Sequence, residues 1–128
     1  MEKTQKQPEK LPDCGVGRFL ILLDGPWATL IVRELLRGPL RFTQLRELLP
    51  NMSAHTLTHR LRRFERHGLA TRTAYAEIPP RVVYELTSLG CELQDVLDSM
   101  QRFGNSIPDA LLTQSEQAGN NTAGSWRR

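Results

Sequence analysis

Between Ser53 and Arg66 the chain sets short polar and basic side chains at helical spacing, interleaved with Leu57, Leu61 and Phe64. The apolar residues recur at intervals of three and four, so a helix buries them along one face and turns the others outward. Near the start of that helix, Ser53, His55, Thr56 and His59 are short hydrogen-bonding side chains of a size to reach base edges in a DNA major groove, with Thr58 on the same polar side. Arg62, Arg63 and Arg66 follow, with the charge to neutralise phosphate, which positions a protein on DNA without reading its sequence. His55 and His59 also stand four residues apart, as a metal pair does. No carboxylate lies between them of the kind a zinc protease needs, and no third ligand stands out. With no glycine-rich phosphate loop and no nucleophile motif, the expectation is a protein that is not an enzyme and uses no cofactor or metal. Cys14 is the remaining reactive group. It sits at a predicted helix N-terminus with Arg18 one turn on, and both features favour a thiolate and hence redox sensing. The alternative for Cys14 is a small apolar side chain in a dimer seam. Cys91 reads as packing, and a bridge between the two cysteines is left open.

The elements that position these groups follow from local signals. Phe42, Leu45, Leu48 and Leu49 mark a helix that Pro50-Asn51 must end, and Ser53 restarts the chain as an N-cap. Two helices joined by a tight turn, the second basic (about 53–67), make a helix-turn-helix pattern. Upstream, a first helix capped by Asp13 carries Val16, Phe19, Leu20 and Leu23, although Gly15 and Gly17 each weaken it by about 1 kcal/mol. Asp24-Gly25-Pro26 turns the chain into a second helix, Trp27 to Leu36, which is apolar around most of its circumference and predicts the buried centre. Arg37-Gly38-Pro39 closes it. Downstream, Leu69–Tyr75 and Arg81–Leu86 alternate as strands around the stiff loop 76–80, giving a two-stranded wing (about 69–86). Arg72 and Arg81 are its candidate DNA-contacting cations, with Arg81 alternatively paired to Glu77. Thr87 then caps a long last helix with Leu89, Leu93, Val96, Leu97, Met100 and Phe103 on one side. That helix has no remaining partner in its own chain, which predicts a two-fold homodimer.

The fold class expected is therefore α+β, mainly helical: a winged helix-turn-helix domain with terminal dimerisation helices. Residues 1–12 read as a flexible arm, 13–103 as the domain and 104–128 as a largely disordered extension. The 128 residues carry a formal charge of only +3, yet eight Arg stand against three Glu between Arg33 and Arg66. Four acids stand against one Arg between Thr87 and Leu112. One region is thus suited to phosphate and another is not. No run of 18 apolar residues and no secretory leader is present, so the expectation is a cytoplasmic protein with no membrane partner. Double-stranded DNA, bound as a pseudo-palindromic operator, is the expected partner. A small-molecule-responsive regulator without redox sensing, and a winged helix used only for protein–protein interaction, are the alternatives. The effector is unknown.

Taken together, Cys14, Gly25-x-Trp27, Leu30-Ile31-Val32-Arg33-Glu34-Leu35-Leu36, Arg41-Phe42-x-x-Leu45, Ser53-x-x-x-Leu57-x-x-Arg60-Leu61, Gly68-Leu69, Pro79-Pro80-Arg81-Val82-x-Tyr84-x-Leu86-Thr87 and Leu89-Gly90 resemble the HxlR family of bacterial winged helix regulators, relatives of the MarR group. The resemblance covers about residues 13–103. It implies a homodimeric transcription factor, joined through its first and last helices, in which several members sense electrophiles or oxidants through a cysteine at the place of Cys14. Gly15 and Pro26 depart from the family pattern, which often has Pro after that cysteine and usually Lys or Arg before the tryptophan.

Overall fold

The computed structural model describes residues 10–117 of the chain. A first unit runs to Leu93 and a second begins at Gln94. In the first, α1 (Gly15–Leu22) and α2 (Pro26–Leu35) are followed by β1 (Leu40–Arg41), α3 (Phe42–Leu48), α4 (Ala54–Arg66), β2 (Ala70–Tyr75), β3 (Arg81–Leu86) and the short α5 (Ser88–Cys91). Ile31, Val32 and Leu35 of α2, Leu45 of α3, Leu57, Leu61 and Phe64 of α4, and Leu69 are buried to 2% exposure or less and form the core. The apolar spacings of α2, α3 and α4 thus all converge on one interior. No single helix among the described residues is long and apolar enough to cross a membrane.

Helix starts follow the local chemistry. Pro26 occupies the first turn of α2, where its missing N–H costs nothing, and Ser53 accepts the Thr56 N–H at 3.1 Å to cap α4. The cap of α1 differs from expectation: Cys14 rather than Asp13 is the N-cap, its sulfur accepting the Gly17 N–H at 3.3 Å. The C-terminus of α4 closes as a Schellman motif. Gly68 takes φ +76, Leu69 N–H bonds the Phe64 carbonyl at 2.8 Å, and Gly68 N–H bonds the Glu65 carbonyl at 3.1 Å.

The sheet has three strands, in the order β1-β3-β2, all antiparallel. The wing hairpin of β2 and β3 is as expected from alternation. β1 was not, because two residues are too few to show a period; it forms because Leu40 and Arg41 pair with Tyr84 and Val83. The long last helix is also interrupted. Thr87 does cap a helix, accepting the Gly90 N–H at 3.1 Å, but α5 ends after four residues as Glu92 and Leu93 bond back to Leu89 and Gly90 in tighter three-residue turns. A further departure is Glu34, buried at 4% exposure in a helix expected to present only apolar residues inward. Arg33 holds one carboxylate oxygen at 2.6 Å and Arg37 stands 3.7 Å from the other. Two cations on the neighbouring surface offset the desolvation of that carboxylate.

The second unit holds α6 (Gln94–Asn105) and α7 (Asp109–Gln117). The helix α7 lies where a largely disordered extension was expected. Pro108 and Asp109 favour a helix start, and Ala110, Leu111 and Leu112 sustain it. The rest of that extension, and most of the proposed N-terminal arm, lie outside the described residues.

Candidate nucleic-acid interface

The α3–turn–α4 segment is held by its own interior face. Leu45, Leu49 and Met52 are buried beside Leu57, Leu61 and Phe64, and Met52 N–H bonds the Leu49 carbonyl at 3.1 Å across the turn. With that face fixed inward, 3.6-residue periodicity distributes the remaining side chains of α4 over three flanks. His55, His59, Arg62 and Arg66, at steps of four, three and four, form one stripe and all four are exposed. Thr58 and Glu65 lie to one side of the stripe, and Thr56, Arg60 and Arg63 to the other.

On the Thr58 side, α4 and the wing bound a cleft of about 1000 Å³. Thr58, Arg62 and Glu65 line it from α4, Arg72 and Arg81 from the wing, and Arg41, Phe42 and Thr43 from the start of α3. Arg72 stands directly opposite Tyr84 in the strand pair, so the two lie on the same face of the hairpin, and both line the cleft. Arg41, Arg62 and Arg72 form no ion pair among the described residues. They leave this cleft electropositive even with Glu65 beside them.

The other wing cation is occupied. Arg81 donates to Glu77 at 2.6 Å and its guanidinium stacks 4.0 Å above the Tyr75 ring. The hydrogen bond from Arg81, reinforced by the charges of Arg81 and Arg41, holds the Glu77 carboxyl below its ordinary range and raises the Arg81 guanidinium correspondingly. A carboxylate with a lowered pKa keeps its pairing above the usual carboxylate range and loses it only on acidification through the lowered value, so the pair is intact at neutral pH.

Of the residues singled out from sequence, the structure brings Thr58, Arg62, Arg72 and Arg81 to one cleft and sets His55, His59 and Arg66 along the adjoining exposed stripe. Ser53 is engaged as the cap, and its hydroxyl also lies 3.1 Å from that of Thr56, which is half-buried. Arg63 parts from the group. Its guanidinium is turned to the opposite flank, donating to the Ile21 carbonyl at 2.9 Å and lying 3.5 Å from the Asp24 carboxylate. Arg41 and Thr43 are the additions that sequence reading missed; the arginine surplus between Arg33 and Arg66 contained Arg41 but could not say which way it faced. Cys14 is exposed and free, as is Cys91. Arg18 stands one turn on from Cys14, its N–H bonding the Cys14 carbonyl at 3.1 Å, and its guanidinium donates to the Pro12 carbonyl at 3.1 Å. Among the described residues no group of three or more His, Cys, Asp or Glu side chains is arranged to hold a metal ion.

Comparison with known proteins accords with this geometry. A family model described as HxlR-like helix-turn-helix matches residues 22–111. An uncharacterized HTH-type transcriptional regulator of Synechocystis, sll1512, is 47% identical over 92 residues, covering 72% of this chain and 68% of the relative. A MarR-family transcriptional regulator of Porphyromonas gingivalis superposes with a TM-score of 0.72 at 29% identity, over 81% of this chain and 100% of that one. The redox regulator HypR in its reduced form gives a TM-score of 0.72 at 30% identity, over 78% of this chain and 99% of the other. A capped basic helix, a wing behind it and a family match spanning most of the chain lead to one assignment: the protein belongs to the HxlR family of winged helix-turn-helix transcriptional regulators, with a MarR-like fold.

Proposed function

We propose that this regulator acts in the cytoplasm as a homodimer on a pseudo-palindromic operator, with α4 in the major groove and the wing flanking it. The observation that carries the reading is the exposed stripe of His55, His59, Arg62 and Arg66 on a capped helix, bordered by a cleft lined by Arg41, Arg62 and Arg72, which form no ion pair among the described residues. His55 and His59 face outward near the N-terminal half of α4, where side chains reach base edges. The arginines suit phosphate on either side of that contact. Ser53 serves by starting the helix rather than by reading a base. Dimerisation is supported by exposed apolar side chains on α1 (Val16, Leu20 and Ile21) and, separately, on α6 (Val96, Met100 and Phe103). The test of DNA binding is enrichment of duplexes from a random pool, followed by affinity measurements over a range of salt. A two-fold symmetric consensus and a steep loss of affinity with salt are expected; no enrichment sinks the reading.

In the same proposal Arg81 is silent at neutral pH because Glu77 holds it. Glu77→Gln is then expected to release it, strengthening DNA binding and steepening the salt slope by about one per protomer. An unchanged slope means that Arg81 does not reach the phosphate backbone.

Control by thiol oxidation is supported by the exposed sulfur of Cys14, which caps α1 directly, so oxidation there removes the hydrogen bond that starts the helix. Treatment with diamide is expected to release operator from the native protein and not from Cys14→Ser. Equal release from both excludes Cys14 from the response and points to Cys91, whereas no release from either favours the small-molecule alternative.

A further inference from the structure

Arg60 and Arg63 stand one turn apart on the flank of α4 that faces away from the arginine-lined cleft. Arg60 donates to the Asp24 carbonyl at 2.8 Å, and Arg63 to the Ile21 carbonyl at 2.9 Å. Ile21 lies in the last turn of α1, whose carbonyls have no acceptor role left to fill within the helix. The Asp24 carboxylate stands 3.5 Å from Arg63 and 4.0 Å from Arg60. Arg60 also lies over Gly25, which holds φ +92 at the start of α2; a Cβ there would stand 3.7 Å from the Arg60 guanidinium. The end of α1, the start of α2 and the middle of α4 therefore meet at two guanidinium groups. Both are only about a quarter exposed, at 22% and 25%.

The apolar seam of α4 turns the polar stripe outward, but being non-directional it leaves the slide of the helix and the last degrees of its rotation unset. Two directional hydrogen bonds one turn apart set both. We propose that Arg60 and Arg63 are positioning residues: they fix the orientation of α4 against the α1–α2 turn, and so the angle of the His55–His59–Arg62–Arg66 stripe. The same two contacts carry any displacement of α1 to that stripe. A planar fork is needed for this, because each guanidinium reaches a carbonyl and a carboxylate at once, which an ammonium on a flexible stem does not do. The proposal rests on the reading of α4 as the DNA-contacting helix.

Arg63→Lys and Arg63→Gln test it, each assayed on the selected duplex at a temperature where the variant is folded by circular dichroism. If Arg63 were a phosphate contact, lysine would restore binding and glutamine would flatten the salt slope by about one per protomer. A positioning role predicts that both variants lose affinity by about tenfold, the equivalent of one hydrogen bond to a charged group, with the slope unchanged. Native affinity in the lysine variant, or a flattened slope in the glutamine variant, overturns the proposal. A second measurement is independent of DNA. Hydrogen exchange of the last-turn amides of α1 is expected to accelerate several-fold in Arg63→Lys and not in Arg62→Ala. Unchanged exchange overturns the positioning role even if DNA binds. Accelerated exchange in a protein whose native form enriches no duplex instead leaves the α1–α4 coupling standing and removes the DNA reading.

Discussion

Replacing Arg41, Arg62 and Arg72 together with alanine is expected to lower affinity for duplex DNA by roughly a thousandfold for each protomer bound at about 0.1 M salt and to flatten the salt slope by about three per protomer, about six for the dimer. The size follows from counterion release. Each phosphate neutralised contributes a slope of about 0.9, which is close to tenfold in affinity between about 1 M and 0.1 M salt. The three arginines come from different elements: Arg41 from the end of β1, Arg62 from α4 and Arg72 from β2. They converge on one cleft without an ion pair among the described residues. These side chains make no hydrogen bond among the described residues, and exposed substitutions of this kind ordinarily change stability by less than about 0.5 kcal/mol. A fall in binding therefore reports on the contact surface and not on unfolding. The loss should be nearly uniform across sequences, since phosphate contacts position without reading. A triple variant with native affinity and slope shows that the DNA runs elsewhere. A loss confined to one base step shows that one of the three reads a base.

Gly90→Ala is expected to destabilise the protein by about 3 kcal/mol, the upper end of the usual cost of overpacking. A Cβ at Gly90 would lie 2.3 Å from the carbonyl oxygen of Leu69 and 3.0 Å from a methyl of Leu86. The first contact is to backbone, so no rotamer change relieves it. Nor is the Leu69 peptide free to move. Its N–H closes the Schellman motif of α4, its carbonyl accepts the Thr87 N–H at 3.0 Å, and the Thr87 hydroxyl donates to the Gly68 carbonyl at 2.6 Å. Pushing α5 away from Leu69 thus strains the end of α4 and the root of the wing together. Urea unfolding of the variant is the measurement, with Gly104→Ala as its control. Nothing lies within 4 Å of a Cβ at Gly104, in the last turn of α6, so alanine there should cost nothing and stabilise by at most about 0.5 kcal/mol. A cost below about 1 kcal/mol at Gly90 would mean that α5 is loosely seated and can yield.

Much of this molecule is legible from local pattern. The three- and four-residue recurrence of Leu57, Leu61 and Phe64 places α4. Pro50-Asn51 and Ser53 end one helix and start the next, and the alternation of 70–75 and 81–86 makes the wing. These signals need only neighbours within a turn or a strand pair, so a sequence displays them directly. The pairing of Arg81 with Glu77 was open as an alternative for the same reason: four residues separate them. Where the chemistry depends on a cap, types alone mislead, as at the start of α1. Asp13 is the better capping residue, yet Cys14 has the backbone position.

What tertiary structure alone decided is the direction in which chemically equivalent residues face. Arg62 and Arg63 are adjacent and identical in type, and both read as phosphate contacts. One lies exposed beside the cleft, and the other bonds a carbonyl 42 residues away at the end of α1. Arg41 joins Arg72 only because β3 pairs with both β1 and β2. Gly90 is indispensable only because the Leu69 carbonyl stands where its Cβ would be. The sequence by itself determined the family, the winged helix-turn-helix pattern and the polar side of α4, because periodicity and caps act over a few residues. Which arginines remain free for a partner was decided by contacts between elements distant in the chain, and no local spacing encodes those.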